Sequence, residues 1–125
     1  FELKNSAYIS RFNIDPSTYD IDTSTKAKWH QDTLKTPPDY SGKWVITNPP
    51  FLAKNKATDK TIFNLYGVDD LYKAFILSML KCDGGIIIVP TNFLSDERTA
   101  GVRQQFFDSF EILELNIFQV PESYY

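Results

Sequence analysis

The run Gly85-Ile86-Ile87-Ile88-Val89-Pro90 limits what this chain can become more than any other feature. An unbroken β-branched stretch without alternation is the mark of a strand covered on both faces. Such strands belong to parallel sheets flanked by helices. A second uncharged stretch, Trp44-Val45-Ile46, reads as another short buried strand. Between the two, Leu71, Tyr72, Phe75, Ile76, Met79 and Leu80 recur at helical spacing and define one apolar face. Asp69 and Asp70 favour the N-terminal end of that helix, Lys81 favours its C-terminal end, and Asp83-Gly84-Gly85 stops it. Strand, helix and strand in this order imply a right-handed crossover between parallel neighbours. The fold class expected is therefore α/β with a mostly parallel sheet.

The strand at Trp44 runs into Thr47-Asn48-Pro49-Pro50-Phe51. In an open α/β sheet, ligands bind beyond the carboxyl ends of the strands. Pro49 and Pro50 fix two φ angles and remove two backbone donors, and Pro49 pushes Asn48 out of the helical region. The result is a stiff corner with free carbonyls, one side-chain amide and one aromatic ring. An exocyclic amine of a nucleobase needs acceptors, which the Asn48 amide oxygen and the Pro49 carbonyl can supply. A planar base needs a stacking face, which Phe51 can supply.

This corner resembles motif IV, Asn/Asp-Pro-Pro-Tyr/Phe, of the amino-group methyltransferases that use S-adenosylmethionine. The longer run Asn48-Pro-Pro-Phe-Leu-Ala-Lys-Asn-Lys56, followed by Asp70-Leu-Tyr-Lys-Ala-Phe-Ile76, is similar to the N6-adenine DNA methyltransferases of restriction-modification systems. The resemblance covers residues from about 19 to 118. It implies a Rossmann-like class I methyltransferase fold, incomplete at both ends, with helices flanking the sheet. It also implies S-adenosylmethionine as cofactor, duplex DNA with a flipped adenine as substrate, and a restriction endonuclease as partner. Asn48, Pro49, Pro50 and Phe51 would then be the catalytic residues. The same four letters serve RNA guanine-N2 and protein glutamine methyltransferases. Those acceptors remain alternatives, as does a truncated, non-catalytic DNA-binding module.

The resemblance also gives roles to residues that are unremarkable by themselves. Tyr19-Asp20-Ile21-Asp22 reads as a strand end carrying two acids, and ionised carboxylates accept well from a ribose diol. Asp20 aligns best with the family's ribose-binding acid and Asp22 second. Lys28 to Leu34 reads as a strand ending at Asp32, which the family's motif III sets against the amine of the cofactor's adenine, with Leu34 flanking the ring. On the residues alone, Asp20 and Asp22 are turn residues and Asp32 is a turn or helix cap. Trp29 reads as core and His30 as a packed or exposed strand residue. The family opens its cofactor site with a glycine-containing loop, and no glycine precedes Gly42, so the resemblance begins after that loop.

Beyond the corner, Lys54, Lys56 and Lys60 outnumber Asp59 and leave a local surplus of positive charge. With Asn55, these lysines are candidates for DNA phosphates. Ile62, Phe63, Leu65 and Tyr66 are expected to tuck this connection onto the core. Pro90 to Leu94 reads as a loop packed on the sheet. Ser95 is placed to cap a helix whose Val102, Phe106, Phe107 and Phe110 face inward. Strands are thus expected near 17–21, 27–31, 44–47, 85–89 and 112–118, and helices near 69–81 and 96–109. Ala7 to Ile14 reads as a short helix end or a strand.

The 125 residues suffice for one domain, taken as a single partial catalytic domain over 1–125. No apolar run reaches the length of a membrane span, so no membrane role is expected. Phe1-Glu-Leu-Lys-Asn has neither an initiator Met nor a signal pattern, and the chain is expected to be a piece of a longer protein. One cysteine, Cys82, fits a reducing, cytoplasmic setting, and one histidine, His30, argues against a His-based metal site. A net charge of −3 gives no global attraction to nucleic acid, so any such binding must be local.

Overall fold

The computed structural model describes residues 16–119. Ala7 to Ile14 lies outside the described residues. Four short strands form: β1 (Tyr19–Asp20), β2 (Trp29–His30), β3 (Trp44–Thr47) and β4 (Gly84–Ile87). The α-helices are α1 (Thr61–Tyr66), α2 (Leu71–Ser78) and α3 (Ala100–Ser109). Single 3₁₀ turns lie at Lys54–Lys56, Thr91–Phe93 and Glu97–Thr99.

β1 pairs with β2 and β3 with β4, both in parallel, as two separate two-stranded ladders. The expected sheet is thus divided among the described residues. The second ladder has the strand–helix–strand connectivity that the apolar runs imply. Its strands start together because the turns that feed them are tied: Gly42 N donates to Asp83 Oδ1 (3.2 Å) and Asp83 N to Lys43 O (2.9 Å). The two strands then come unusually close. A Cβ at Gly85 would stand 1.9 Å from the Val45 carbonyl oxygen, so only glycine fits there.

α1 forms within the stretch expected as a connection, whose six helical residues carry no strong period. It ends where Gly67 turns left-handed at φ 67° and Val68 N donates to Phe63 O at 3.0 Å. α2 starts one residue after Asp70, whose carboxylate caps it, and gives way after Ser78 to a turn in which Cys82 N donates to Met79 O. Leu34, Phe63, Val68, Tyr72, Ala74, Ile76, Phe93 and Val102 form the buried cluster beneath these helices. Tyr66 ties the first ladder to it, donating from its hydroxyl to Leu34 O at 2.8 Å.

Several expectations are corrected. Residues 112–118 do not form a strand; residues 111–119 are exposed and pair with neither described ladder. The isoleucine run is covered on one face only. Ile86 and Trp44 are 65% and 73% exposed, and Ile46 and Ile88 share that open face. Trp29, Leu65 and Phe107 are exposed rather than core, because each points away from the single cluster that the helices build. The cap before the last helix is Asp96, not Ser95. Asp96 Oδ1 accepts from Arg98 N at 2.9 Å, and the segment opens as the 3₁₀ turn rather than as α-helix.

Burial pushes the Tyr40 phenol up to about 12, with the Tyr19 and Tyr66 phenols adding to the effect. Burial raises Tyr66 and Tyr72 in the same sense. A phenol with a raised folded-state value stabilises the fold fully below its unfolded value near 10 and loses that contribution as pH rises toward 12. The thermal midpoint should therefore fall between pH 10 and 12, and fall less in Tyr40→Phe. Packing makes a second prediction. Ile76→Ala, at a site 2% exposed, should cost about 2–5 kcal/mol in chemical denaturation, whereas Ile86→Ala should cost about 0.5 kcal/mol or less.

Candidate active site

The Asn-Pro-Pro-Phe corner begins one residue after the last pair of the second ladder, Thr47 with Ile87. Pro49 is buried and anchors the corner, while Asn48, Pro50 and Phe51 are exposed. Nothing among the described residues hydrogen-bonds the Asn48 amide or the Pro49 carbonyl. Phe51 is 45% exposed, and its ring meets Tyr72 at 85° with centroids 6.0 Å apart. One part of the ring is thus fixed against the core and the rest is open.

Asp70 sets the exit from the corner. Its Oδ1 accepts from Leu52 N at 3.2 Å and from Tyr72 N at 3.4 Å. Leu71 N donates back to Leu52 O (3.0 Å), Lys54 N donates to Asp69 O (2.8 Å), and Ala53 bridges Asp70. One carboxylate therefore caps α2 and holds the chain that leaves Phe51. Tyr72, which carries Phe51, is 1% exposed, and its hydroxyl lacks a hydrogen-bond partner, as does the Thr99 hydroxyl. The Thr99 side chain is close enough to lower the phenol's value somewhat, against the dominant effect of burial.

The three candidate acids lie at the carboxyl end of the first ladder. Asp20 pairs with His30, so Asp22 and Asp32 each follow that pair by two residues. Each acid makes a local turn. Asp20 Oδ1 accepts from Asp22 N (2.9 Å), Asp22 Oδ1 from Ser24 N (2.8 Å), and Asp32 Oδ1 from Leu34 N (3.0 Å) and Lys35 N (3.2 Å). The Ser24 bond lowers the Asp22 carboxyl. In Asp20 and Asp32 the second carboxylate oxygen has no partner among the described residues and can accept from a hydroxyl or an amine, whereas the Ser24 hydroxyl also meets the Asp22 carboxylate. The acids therefore fit the cofactor role implied by the resemblance. Leu34 does not. It is 4% exposed, packed in the core with its carbonyl held by Tyr66, and has no face to lay on a ring. Exposed His30 sits with Nδ1 3.1 Å from Asp22 O and braces that turn.

The lysines divide. Lys54 Nζ donates to Asn64 Oδ1 at 2.7 Å. Asn55, Lys56 and Lys60 are exposed and make no side-chain hydrogen bond or ion pair among the described residues. The Thr61 hydroxyl and amide hold the Asp59 carboxyl low, so it stays ionised beside them. Two basic residues escaped the sequence reading. Lys73 is 4% exposed, with Nζ 2.6 Å from Asp69 Oδ1 and 3.4 Å from the carbonyl oxygen of the second, Arg98. The four-residue spacing of Asp69 and Lys73 was the available signal. Phe93 is buried edge-on against Phe106 at 5.5 Å and belongs to the core. Among the described residues no group of His, Cys, Asp and Glu could hold a metal ion, and no helix is long and apolar enough to cross a membrane.

No protein-family model, curated protein or solved structure matches this chain. The arrangement therefore rests on its own geometry: a rigid acceptor-bearing corner at one ladder end, and three ionisable acceptors at the other.

Asp70→Ala should destabilise the protein by about 1 kcal/mol through loss of the cap. It should also speed hydrogen exchange at Leu52 N, while Asp70→Asn, which keeps an acceptor oxygen, should restore most of the protection.

Proposed function

We propose that this chain carries the catalytic corner of an S-adenosylmethionine-dependent methyltransferase, which moves a methyl group to adenine N6 in duplex DNA on a Rossmann-like class I framework. The observation that carries this reading is the Asn48 to Phe51 corner at the carboxyl end of a parallel strand, with the Asn48 amide unclaimed among the described residues and part of the Phe51 ring open. Asp20 and Asp22 would hold the cofactor's ribose hydroxyls and Asp32 its adenine amine. Bound there, the cofactor would supply an electrophilic methyl group on sulfur.

The chain's own residues do the rest. An aromatic amine is a poor nucleophile because its lone pair is conjugated with the ring. Asn48 Oδ1 and the Pro49 carbonyl accept the amine's hydrogens and favour charge building on nitrogen. Phe51 stacks on a base turned out of the duplex. Because Tyr72 and Asp70 brace the corner, the acceptors need little rearrangement when the base arrives. Lys56 and Lys60, beyond the corner, meet phosphates without reading sequence.

A second reading is a methyltransferase-like module that binds nucleic acid without transfer. The burial of Leu34 favours it, since the cofactor's ring would lose one flank. Titration calorimetry with S-adenosylmethionine separates the two: absence of binding by folded protein supports the module.

The direct test is incubation with methyl-labelled cofactor and separate pools of duplex DNA, RNA and protein. N6-methyladenine should form in the DNA pool. Asn48→Ala should reduce turnover by about 10²–10³-fold, the cost of one orienting contact of a few kcal/mol. Near-normal turnover in that variant would sink the assignment, and label in another pool would change the substrate.

A further inference from the structure

A depression of about 520 Å³ lies between α1, the start of α2 and the turn that opens the last helical segment. Buried Phe63, Val68 and Val102 line its apolar part. Lys54, Asn64, Asp69, Lys73 and Arg98 supply its polar part. Lys54 comes three residues after Phe51, and its backbone is held by Asp69, so the depression is built onto the same braced exit as the corner.

The charges around it do not cancel. Lys73 is spent on Asp69 at 2.6 Å, and its remaining contact is with Arg98 O at 3.4 Å. Arg98 forks onto Asp96, through Nε at 3.3 Å and Nη2 at 2.9 Å, which leaves Nη1 without a partner among the described residues. Lys54 donates only to the neutral Asn64 oxygen, so its charge is unopposed by any ion pair among the described residues. By accepting that bond, the Asn64 amide keeps its own nitrogen hydrogens available. Lys54 and Asn64 thus offer donors beside an apolar lining, with the largely exposed Arg98 side chain next to them. Arg98 has committed its Nε and Nη2 edge to Asp96, so that edge is unavailable to carboxylate and phosphate alike. Separately directed donors suit the tetrahedral oxygens of a phosphate.

We propose that this depression is a phosphate subsite, which holds one backbone phosphate of the strand whose base enters the Asn48 to Phe51 corner. It rests on the nucleic-acid reading above and adds Lys54, Asn64 and Arg98 as the groups that fix the strand's register. Phosphate contacts of this kind position a strand, while base contacts specify it.

The test uses a fluorescein-labelled oligothymidylate, which contains no adenine and cannot be methylated there. Its binding is followed by anisotropy at several salt concentrations. Each phosphate contact on a single strand contributes about 0.7 to the slope of log affinity against log salt. Lys54→Gln should lower that slope by about 0.7 and weaken binding about five-fold at about 0.1 M salt, whereas Arg98→Gln, whose charge Asp96 already opposes, should lower it by less. Lys26→Gln removes the same charge from an exposed turn and should change neither. Circular dichroism checks that each variant folds. Equal effects from all three variants, or no binding by the unaltered chain at low salt, would overturn the proposal. A parallel NMR titration with inorganic phosphate identifies the source. Shifts at Lys54, Asn64 and Arg98 from phosphate alone, without oligonucleotide binding, would keep the phosphate chemistry but overturn the strand. Slope changes without transfer to adenine would keep the subsite and remove the methyltransferase reading. Transfer with unchanged slopes would do the reverse.

Discussion

The parallel pairing of Trp44–Thr47 with Gly84–Ile87 is the constraint on which the rest depends. Parallel neighbours cannot be joined by a tight turn, so the chain must cross over between them. That crossover contains the corner, the turn at Lys54–Lys56, α1 and α2, and it supplies five of the eight residues of the buried cluster. The close approach at Gly85 fixes which residues face each other. Thr47 therefore ends its strand beside Ile87, and Asn48 leaves the ladder at its open end. A slip of one residue would turn Val45 and Ile87 outward and carry the corner off the cluster below.

Asp70 converts that register into a defined site. A Pro-Pro segment is stiff, but stiffness alone does not say where the following aromatic points. The Leu52 bond to Asp70 and the edge contact of Phe51 with Tyr72 decide it. The same carboxylate starts α2, so the helix cannot shift without moving the corner. Net stabilisation by each contact is modest, about 1 kcal/mol for a cap or a neutral hydrogen bond. Their use lies in coupling the corner to buried Tyr72, Ala74 and Ile76, where displacement would open a cavity.

The sequence showed the parts of this arrangement that depend on local chemistry. The apolar runs at Trp44 and Gly85, the period of α2 and the proline corner are each written within a few residues. Asp32 also behaves as the turn cap that its residue type suggests. What was illegible depends on partners distant in the chain. The Ile86 run reads as covered on both faces, yet covering requires a second layer that the described residues do not supply. Residues 112–118 have the composition of a strand, but composition does not say which partner a strand takes, and they pair with neither described ladder. Leu34 reads as available until it is seen packed in the core with Tyr66 on its carbonyl, and Lys73, which drew no reading, is buried against Asp69. Each of these is a choice between an exposed and a buried state of one residue, and short-range patterns do not fix it.

The charge distribution follows the same logic. A chain of net charge −3 repels a polyanion at long range, and at about 0.1 M salt that repulsion is screened beyond about 10 Å. Binding at short range then depends on which cations are unopposed where a strand would lie. Asp69 and Asp96 oppose Lys73 and Arg98, so a count of basic residues overstates the attraction. Lys54 is different because its partner is neutral. On the proposed reading, a single well-placed surplus charge is enough. The corner must distinguish an adenine amine, and phosphate attraction, being the same for every sequence, cannot do that. A strongly basic surface would hold the strand in many registers with similar energy. A weakly attractive surface with one fixed anchor leaves the choice of register to Asn48, Pro49 and Phe51.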